Sequence, residues 1–597
     1  MALRLRRRVL GASLAIVLGS FAHSLLAQEA PEKGAQKVPV DIVWGVKIPM
    51  RDGVQLNATV YKPSEMNAPL PVIFTFTPYI SDTYHERAWY FSHHGYVFAL
   101  VDVRGRGNSG GDFAPFENEG RDGYDVVEWL AKQPWSNGKI TMWGGSYAGF
   151  DQWSVLKEFP PHLATIVPAA AAHPGVDFPF FNNIFAPYDI QWLTFTSGKA
   201  SNENLFAASD YWIAKFTKLY DEHLPFSDLD KIVGNPSATF QKWIKHPYPD
   251  SYLNAMVPTL EDYKKISIPI LTITGDYDGD QPGALTYYRR HMKFGAPDVV
   301  ARHYLIIGPW DHAGTRTPRA DIGGLHFGPA SMLDLNKLHT EWYDWTLKAG
   351  SKPEFLKQRV AYYVAGLEAW KYADSLDSVS NAKQTLYLSS DGSADDAFHS
   401  GVLADSVPTA ASPDKFAYDP LDVRPAALEQ ADVPNFITDE RFALNLFGEG
   451  VVYQSAPLEQ DTEISGAPRL SVWLQMDVPD TDLQATLYVI EPDGRSIQLS
   501  GDAMRARYRD SVSQPQPVPA GEVVRYNFGS FTWFSREVTK GSRLRLVLKC
   551  INSISSEKNY NSGGVVETES GKDARTAHIN VYHDAQHPSS LELPIVK

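Results

Sequence analysis

The sequence predicts an α/β fold in its first part and an all-β domain in the remainder. The runs 71–76, 96–103 and 139–143 have the length and β-rich composition of strands, and 122–131 has helical spacing. Strand, helix and strand at these lengths are typical of a parallel sheet covered by helices. From residue 358 helical spacing nearly disappears, and short alternating segments predict a β-sandwich of jelly-roll type.

The remaining segments complete the predicted domain order. Residues 38–61 alternate as in an antiparallel pair of strands with a turn at 50–53. Residues 171–264 are rich in aromatic, Asn, Asp and Pro residues with broken helical stretches, which indicates an insertion over the sheet. Strand patterning resumes at 268–274 and 303–307. We therefore predict an α/β domain of residues 28–170 and 265–350, a helical cap at 171–264 and a jelly-roll domain at 358–597.

Residues 1–27 have the composition of an export signal. Four arginines lie within the first eight residues, and an apolar run follows from Val9 to about Phe21. This run is too short to span a bilayer comfortably, so the pattern predicts a signal peptide cleaved near Ala27 and a periplasmic or secreted protein. Arg6 and Arg7 leave both the Sec and the twin-arginine routes open. No later stretch predicts a transmembrane helix, so we expect no stable membrane insertion.

Charge and cysteine content narrow the function classes. The 597-residue chain has a formal net charge of −15, and removal of the predicted signal peptide makes it more negative. An acidic exported protein is a poor candidate for binding nucleic acid or anionic membrane surfaces. The one cysteine, Cys550, excludes an intrachain disulfide and a cysteine-based zinc site.

Ser146 is the candidate nucleophile. It follows an apolar strand, precedes a predicted helix and has Gly144, Ala148 and Gly149 as close neighbours. A serine on a sharp strand-to-helix turn requires small neighbours because bulky side chains would clash there, and the backbone N–H of Tyr147 would then face a developing oxyanion. Ala148 occupies the second glycine position of the usual G-x-S-x-G pattern, so the motif by itself is a weak signal.

Two later strand ends supply an acid and a base. An α/β-hydrolase orders its triad as Ser, then Asp or Glu, then His, with the last two on loops after later strands. Asp276 and Asp278 follow one predicted strand, and Asp311 and His312 follow the next. His312 is therefore the candidate base. The residues alone leave the orienting acid open among these three aspartates.

One glycine-rich motif would indicate nucleotide binding, but the residues after it argue against that function. Residues 105–110 match the G-x-G-x-x-G pattern of dinucleotide-binding sites. Such a site needs a helix to begin at once, and Pro115 disfavours that helix. We interpret the segment as a tight turn whose Arg104 braces neighbouring loops.

Several segments together resemble the CocE/NonD family of serine hydrolases, the group of cocaine esterase, the α-amino-acid ester hydrolases and the X-Pro dipeptidyl-peptidases. The resemblance covers nearly the whole predicted mature chain. The family's own form of the nucleophile turn has a tyrosine after the serine, which explains the departure at Ala148. The segments that carry the resemblance are 50–56, 101–111, 128–136, 144–147, 308–312, 491–495 and 504–508.

The resemblance implies roles for particular residues. The family motif selects Asp278 as the orienting acid, and the family's use of a tyrosine hydroxyl in its oxyanion hole implies that role for Tyr79. The α-amino-acid ester hydrolases hold the substrate ammonium in a carboxylate cluster. Asp280 matches one member, Gln281 stands where a second is acidic, and Asp177 lies near the third.

Trp310, beside the base, is the remaining candidate for substrate binding. The expected function is therefore an exported serine hydrolase with an acyl-enzyme mechanism that needs no metal and no cofactor. We expect an acyl esterase, α-amino-acid ester hydrolase or acylase acting on a small ester, an amide or a short peptide. The alternatives are an X-Pro-type dipeptidyl-peptidase and, in another class, a surface- or carbohydrate-binding protein that acts through the sandwich. The oligomeric state is left open, with a homo-oligomer as one alternative.

Overall fold

The computed structural model describes residues 39–409, 411–429 and 435–597. The predicted signal peptide at 1–27 lies outside these ranges. The first part of the chain forms a ten-stranded sheet. In chain order its strands are β1 Val40–Pro49, β2 Gln55–Pro63, β3 Leu70–Thr77, β4 Val97–Asp102, β5 Ser136–Ser146, β6 Leu163–Ala171, β7 Ile270–Tyr277, β8 His303–Asp311, β9 Val360–Val364 and β10 Ala369–Ala373.

The central strands of this sheet are parallel. The order is β1-β2-β4-β3-β5-β6-β7-β8-β9-β10, and every pair from β4 to β9 runs in the same direction. Antiparallel strands close both edges. The predicted α/β class is therefore confirmed. Because parallel strands end at one edge, the chain after β3, β5, β7 and β8 emerges on the same side of the sheet.

The last two strands of this sheet differ from the predicted domain boundary. The predicted jelly-roll domain begins at residue 358, where the composition changes to short alternating strands, and so includes residues 360–364 and 369–373. In the structure the first of them pairs in parallel with His303–Asp311 and the second closes the sheet edge. Alternation identifies a strand but not the sheet that it joins, so the α/β sheet extends to residue 373.

Helices cover both the sheet and its carboxyl edge. Those packed with the sheet are His85–His93, Glu119–Ala131, Tyr147–Leu156, Gln281–Phe294 and Leu335–Leu347, with the shorter Pro297–Val300 beside them. The predicted cap contains Tyr188–Phe195, Glu203–Phe206, Ser209–Asp221, Leu229–Ile232, Ala238–Trp243, Ser251–Asn254 and Leu260–Lys265. Local sequence explains several of these helices. Trp212, Phe216 and Tyr220 are buried on one face of theirs, and Thr259 begins the last with a capping box.

The C-terminal part is almost entirely β structure. Alternate residues of Arg469–Met476 are buried, as expected for a strand with one face in a core. Among the residues that the structure describes, no helix has the length and apolarity needed to cross a membrane. One short helix, Glu440–Ala443, interrupts the strands. The strands are Ala382–Ser389, Gly401–Ala404, Asp414–Tyr418, Gly450–Ser455, Thr462–Gly466, Arg469–Met476, Asp482–Ile490, Ser496–Arg505, Val523–Phe528, Phe534–Val538, Arg543–Cys550, Ala577–Tyr582 and Ser590–Val596.

Candidate active site

Ser146 lies on a strained turn between β5 and the helix Tyr147–Leu156. Its backbone has φ 64° and ψ −126°, a conformation that non-glycine residues rarely adopt. A Cβ atom on Gly144 would lie 2.6 Å from the Ala148 Cβ, and one on Gly149 would lie 2.6 Å from the Ala169 carbonyl oxygen. The small neighbours are therefore required by close packing, and the alanine fits because Gly144 has no side chain.

The acid and the base meet at the ends of β7 and β8. The His312 Nδ1 atom is 2.8 Å from Asp278 Oδ1. The carboxylate also accepts hydrogen bonds from the Asp280 backbone N–H at 3.1 Å and from Thr274 Oγ1 at 3.1 Å. A carboxylate bound at Nδ1 keeps the proton on that atom, so Nε2 remains free to act as the base.

The two rival aspartates are bound elsewhere. Asp276 is buried, accepts a backbone hydrogen bond from Ser535 of the jelly-roll domain, and has its pKa raised well above the ordinary value by burial. Asp311 accepts a hydrogen bond from the Gly314 backbone N–H at 2.7 Å. The geometry therefore brings Asp278, and neither rival, to His312 Nδ1.

The local field favours the charged form of His312. Burial lowers its pKa, but the Asp280 and Asp278 carboxylates outweigh burial, so the pKa is raised above the ordinary 6.5. Asp280 Oδ2 lies 3.7 Å from His312 Nδ1. Burial in turn raises the pKa of Asp280.

Tyr79 places a hydroxyl beside the nucleophile. The hydroxyl lies beside the Ser146 side chain, and it accepts a hydrogen bond from Trp192 Nε1 at 3.1 Å. Because an indole N–H can only donate, it leaves the phenol proton available to an oxyanion. Burial raises the Tyr79 pKa, so this proton is retained. Phe195 stacks on the Tyr79 ring at 5.5 Å.

Tyr147 begins the helix directly after Ser146, and its side chain is fixed in the core. The hydroxyl donates to Glu119 Oε1 at 2.5 Å and accepts from the Phe116 backbone N–H at 2.7 Å. Burial raises the Glu119 pKa to about 7. Trp192 stacks on the Tyr147 ring at 5.6 Å. Neither Glu119 nor Trp192 is among the site residues that the sequence predicts.

Arg106, in the rejected glycine-rich motif, supports the loop of Tyr79. The side chain is fully buried, its Nε donates to the Pro78 carbonyl at 2.7 Å, and its remaining nitrogens donate to the Gly198 and Ala200 carbonyls of the cap. Burial lowers its pKa to about 10. Arg104, two residues earlier, pairs instead with Asp122 of the helix Glu119–Ala131 and with Asp52 in the turn between β1 and β2.

The three positions of the predicted ammonium cluster have separate partners. Asp177 accepts hydrogen bonds from the backbone N–H groups of His173 at 2.7 Å and Gly283 at 2.6 Å, so it joins the cap to the start of the helix Gln281–Phe294. The Gln281 side chain exchanges hydrogen bonds of 2.8 Å with the Trp533 backbone. Only Asp280 among the three lies beside His312.

The structure contradicts the predicted substrate contact of Trp310. The residue has no exposed surface, and its Nε1 donates to the Ser331 carbonyl at 2.9 Å. A Cβ atom on Gly308 would lie 2.3 Å from the Trp310 indole ring, so the absence of a side chain at Gly308 leaves room for the ring. Trp310 is therefore a core residue beneath the base.

The described residues contain no group of three or more His, Cys, Asp or Glu side chains arranged to hold a metal ion. The residues described at this edge of the sheet are a serine on a strained turn, a histidine with its carboxylates, and the hydroxyl of Tyr79. This set supports acyl transfer through a covalent serine intermediate.

Comparison with known proteins agrees with this chemistry. The chain is 26% identical over 585 residues to the cocaine esterase of Rhodococcus sp. (strain MB1 Bresler), which covers 93% of this chain and 99% of that protein. The fold is similar to an aminopeptidase from a marine sediment archaeon, Thaumarchaeota archaeon, with a TM-score of 0.81, 21% identity and coverage of 97% of this chain and 100% of that one. An α-amino acid ester hydrolase gives a TM-score of 0.80 with the same identity and coverage.

Two adjoining parts of the sequence match one family. Residues 52–314 match the X-Pro dipeptidyl-peptidase (S15 family) domain, and residues 352–592 match the X-Pro dipeptidyl-peptidase C-terminal non-catalytic domain. Together these matches cover most of the chain. The chain therefore belongs to the CocE/NonD and X-Pro dipeptidyl-peptidase (S15) family of serine hydrolases.

Proposed function

We propose that this serine hydrolase cleaves carboxylic esters, with Ser146 as nucleophile, His312 as general base and Asp278 as the residue that orients the base. The observation that carries this proposal is the Asp278–His312 hydrogen bond of 2.8 Å, formed at the sheet edge where Ser146 occupies its strained turn. Such an arrangement activates a serine that is unreactive by itself.

The proposed reaction has two acyl transfers. His312 Nε2 takes the Ser146 proton while Oγ attacks the ester carbonyl carbon, and the Tyr147 N–H and Tyr79 O–H stabilise the oxyanion. The imidazolium then protonates the leaving alkoxide as the C–O bond breaks. Water, deprotonated by Nε2, attacks the acyl-enzyme, and the imidazolium returns this proton to Ser146 Oγ as the acyl–Oγ bond breaks and the acid is released. Asp278 holds the reactive tautomer throughout.

The contacts of the predicted ammonium cluster favour an ester substrate that has no ammonium group over one that has such a group. Asp177 already accepts two backbone hydrogen bonds, and Gln281 is neutral and bound to the Trp533 backbone. Asp280 already faces His312, so Asp280 and Asp177 together make a weak ammonium site. A second candidate function, release of N-terminal amino-acid units from α-amino esters or short peptides, rests on these two carboxylates.

A fluorophosphonate label, mapped by mass spectrometry, tests the mechanism. We expect the label on Ser146 of the mature protein, and we expect Ser146→Ala to lose about 10⁴-fold or more of the esterase turnover while it keeps its fold. Label on another serine, or near-normal turnover in the variant, would contradict the assignment.

A matched substrate pair separates the two candidate functions. Methyl 3-phenylpropanoate and methyl L-phenylalaninate differ only in the α-ammonium group. We expect their kcat/KM values to agree within about tenfold, a difference of about 1.4 kcal/mol. A larger preference for the amino ester that disappears in Asp280→Asn would establish ammonium recognition and favour the second candidate.

We also propose that residues 1–27 direct export to the periplasm or beyond, and that neither nucleic acid nor a membrane is a partner. The arginine-led apolar segment and the net charge of −15 support this. N-terminal sequencing of protein from fractionated cells tests the export. An uncleaved N-terminus in the cytoplasmic fraction would contradict it. Sedimentation of the mature protein would decide whether it forms a homo-oligomer.

A further inference from the structure

A cavity lies where the cap, the α/β domain and the jelly-roll domain meet. Its volume is about 710 Å³. Cap residues 173–176, the first turns of the helix Gln281–Phe294 and jelly-roll residues 529–533 form much of its wall. Ser146, Tyr79 and His312 do not line it. The cavity is therefore distinct from the proposed catalytic site.

The charged side chains around this cavity are mainly basic. Two of them are already neutralised or engaged: Lys383 pairs with Glu592 at 2.8 Å, and Arg290 contacts His173 Nε2 at 3.0 Å. A basic cavity is unexpected in a chain of net charge −15, because no general excess of cations accounts for it. The charged lining residues are Arg289, Arg290, Lys383, Arg469, Asp377 and Glu592.

Arg289 and Arg469 are the two basic residues of the cavity wall that remain unpaired among the residues that the structure describes. Both are exposed to the solvent of the cavity, and neither has a hydrogen bond or an ion pair of its side chain with any residue in the described ranges. Burial lowers the pKa of Arg289, Asp377 opposes that change, and the charge of Arg469 adds to it. Both guanidinium groups line the same cavity, so an anion bound there would meet two positive charges that have no partner in the described structure.

The rest of the wall contains an apolar part beside several polar residues. A ligand that filled the cavity would place an apolar body against this part while its charged end faced the arginines. The apolar lining residues include Phe180, Leu285, Leu376, Phe531 and Trp533.

We propose that this cavity binds an organic carboxylate, with the carboxylate between Arg289 and Arg469 and a short apolar chain against Phe531 and Trp533. A guanidinium fork matches a carboxylate in geometry, and the cavity is lined by two such forks, one from the helix Gln281–Phe294 and one from the strand Arg469–Met476. The binding is separate from the hydrolytic reaction, so it does not depend on the proposed function of Ser146.

Calorimetric titration of the full chain tests the proposal. The arginine variants described below distinguish binding in this cavity from binding in the active site, whether or not Ser146 is reactive. The probes are hexanoate and its neutral counterpart hexanamide. We expect saturable hexanoate binding with one site per chain, weakened by added salt, and hexanamide binding at least about tenfold weaker.

Variants locate the site. Replacement of both arginines, R289Q together with R469Q, should weaken hexanoate binding about tenfold or more. Arg121→Gln, a change of another exposed arginine outside the cavity, should leave the affinity within about twofold. Urea melts of each variant check that the fold is retained.

Two outcomes would overturn the inference. Equal binding of hexanamide and hexanoate would show that charge is not recognised, and this comparison needs no variant to fold. Inorganic phosphate that binds as tightly as hexanoate would show that the apolar wall takes no part. Failure of Ser146 labelling would leave both results unchanged, so the two proposals fail separately.

Discussion

At the scale of single residues, the proton affinity of His312 sets the acid limit of activity. The base must be neutral to accept the Ser146 proton, and its pKa is raised above 6.5 in the folded protein. Activity is therefore expected to be complete well above that pKa and to fall as the pH drops through it. Asp280→Asn removes one of the charges that raise it, so the acid limb of kcat/KM should move about half a pH unit or more to lower pH.

The profile is measured with p-nitrophenyl acetate, a substrate without an ammonium group, between about pH 5 and pH 9. Asp298→Asn, a change of an exposed carboxylate on a different helix, serves as control and should leave the limb in place. An unmoved limb in Asp280→Asn would mean that the Asp280 carboxyl is already neutral when His312 titrates.

Arg106 is expected to act on the reaction through Tyr79. Its bond to the Pro78 carbonyl fixes the residue directly before Tyr79, and a lysine cannot reproduce the three-way contact of the guanidinium. We expect Arg106→Lys to lower kcat about tenfold or more with little change of KM, because a misplaced hydroxyl affects the oxyanion more than the bound ester.

A double variant distinguishes positioning from a general loss of structure. If Arg106 acts through Tyr79, then Tyr79→Phe combined with Arg106→Lys should be no slower than Tyr79→Phe alone. Arg104→Lys, in the same loop but bound to Asp122 and Asp52, should keep kcat within about threefold. Additive losses in the double variant would contradict the positioning role.

At the scale of elements, the helix Tyr147–Leu156 packs unusually close to β6. A Cβ atom on Gly149 would meet the Ala169 carbonyl oxygen at 2.6 Å and the Ala171 Cα at 2.9 Å, and both are backbone atoms that cannot rotate away. We expect Gly149→Ala to lower the free energy of unfolding by about 1–3 kcal/mol, measured from urea midpoints. At Gly501 the nearest atom would be 3.6 Å away, so Gly501→Ala should be nearly neutral.

Some elements of the site can be predicted from the sequence, and others cannot. The strand that ends at Ser146 and those that end beside Asp278 and His312 are visible as apolar runs before polar residues, since one local pattern specifies each. Because Trp192 and Tyr79 are 113 positions apart, no local pattern indicates their hydrogen bond. The spacing of Tyr188, Trp192 and Phe195 does predict one aromatic helix face, but not the site that it covers.

At the scale of the whole molecule, the jelly-roll domain supports the cap through a buried charge network. Arg505, with a 2% exposed side chain, binds Asp482 at 2.9 Å and Glu557 at 2.5 Å. Glu557 also accepts a hydrogen bond from the Phe185 backbone N–H at 2.9 Å. Phe185 shortly precedes the helix whose Trp192 contacts Tyr79. The sandwich is therefore connected to the oxyanion site through this network.

Arg505→Met tests that connection. It would leave two carboxylates buried without their cation, so the free energy of unfolding should fall by about 3–5 kcal/mol. The loosened cap should also lower kcat for p-nitrophenyl acetate under conditions where the variant is folded, because Trp192 no longer holds Tyr79 as firmly. Arg525→Met removes an exposed arginine from the same domain and should change stability by less than about 0.5 kcal/mol. A variant of Arg505 that is destabilised but turns over normally would show that the sandwich stabilises the fold without positioning the site.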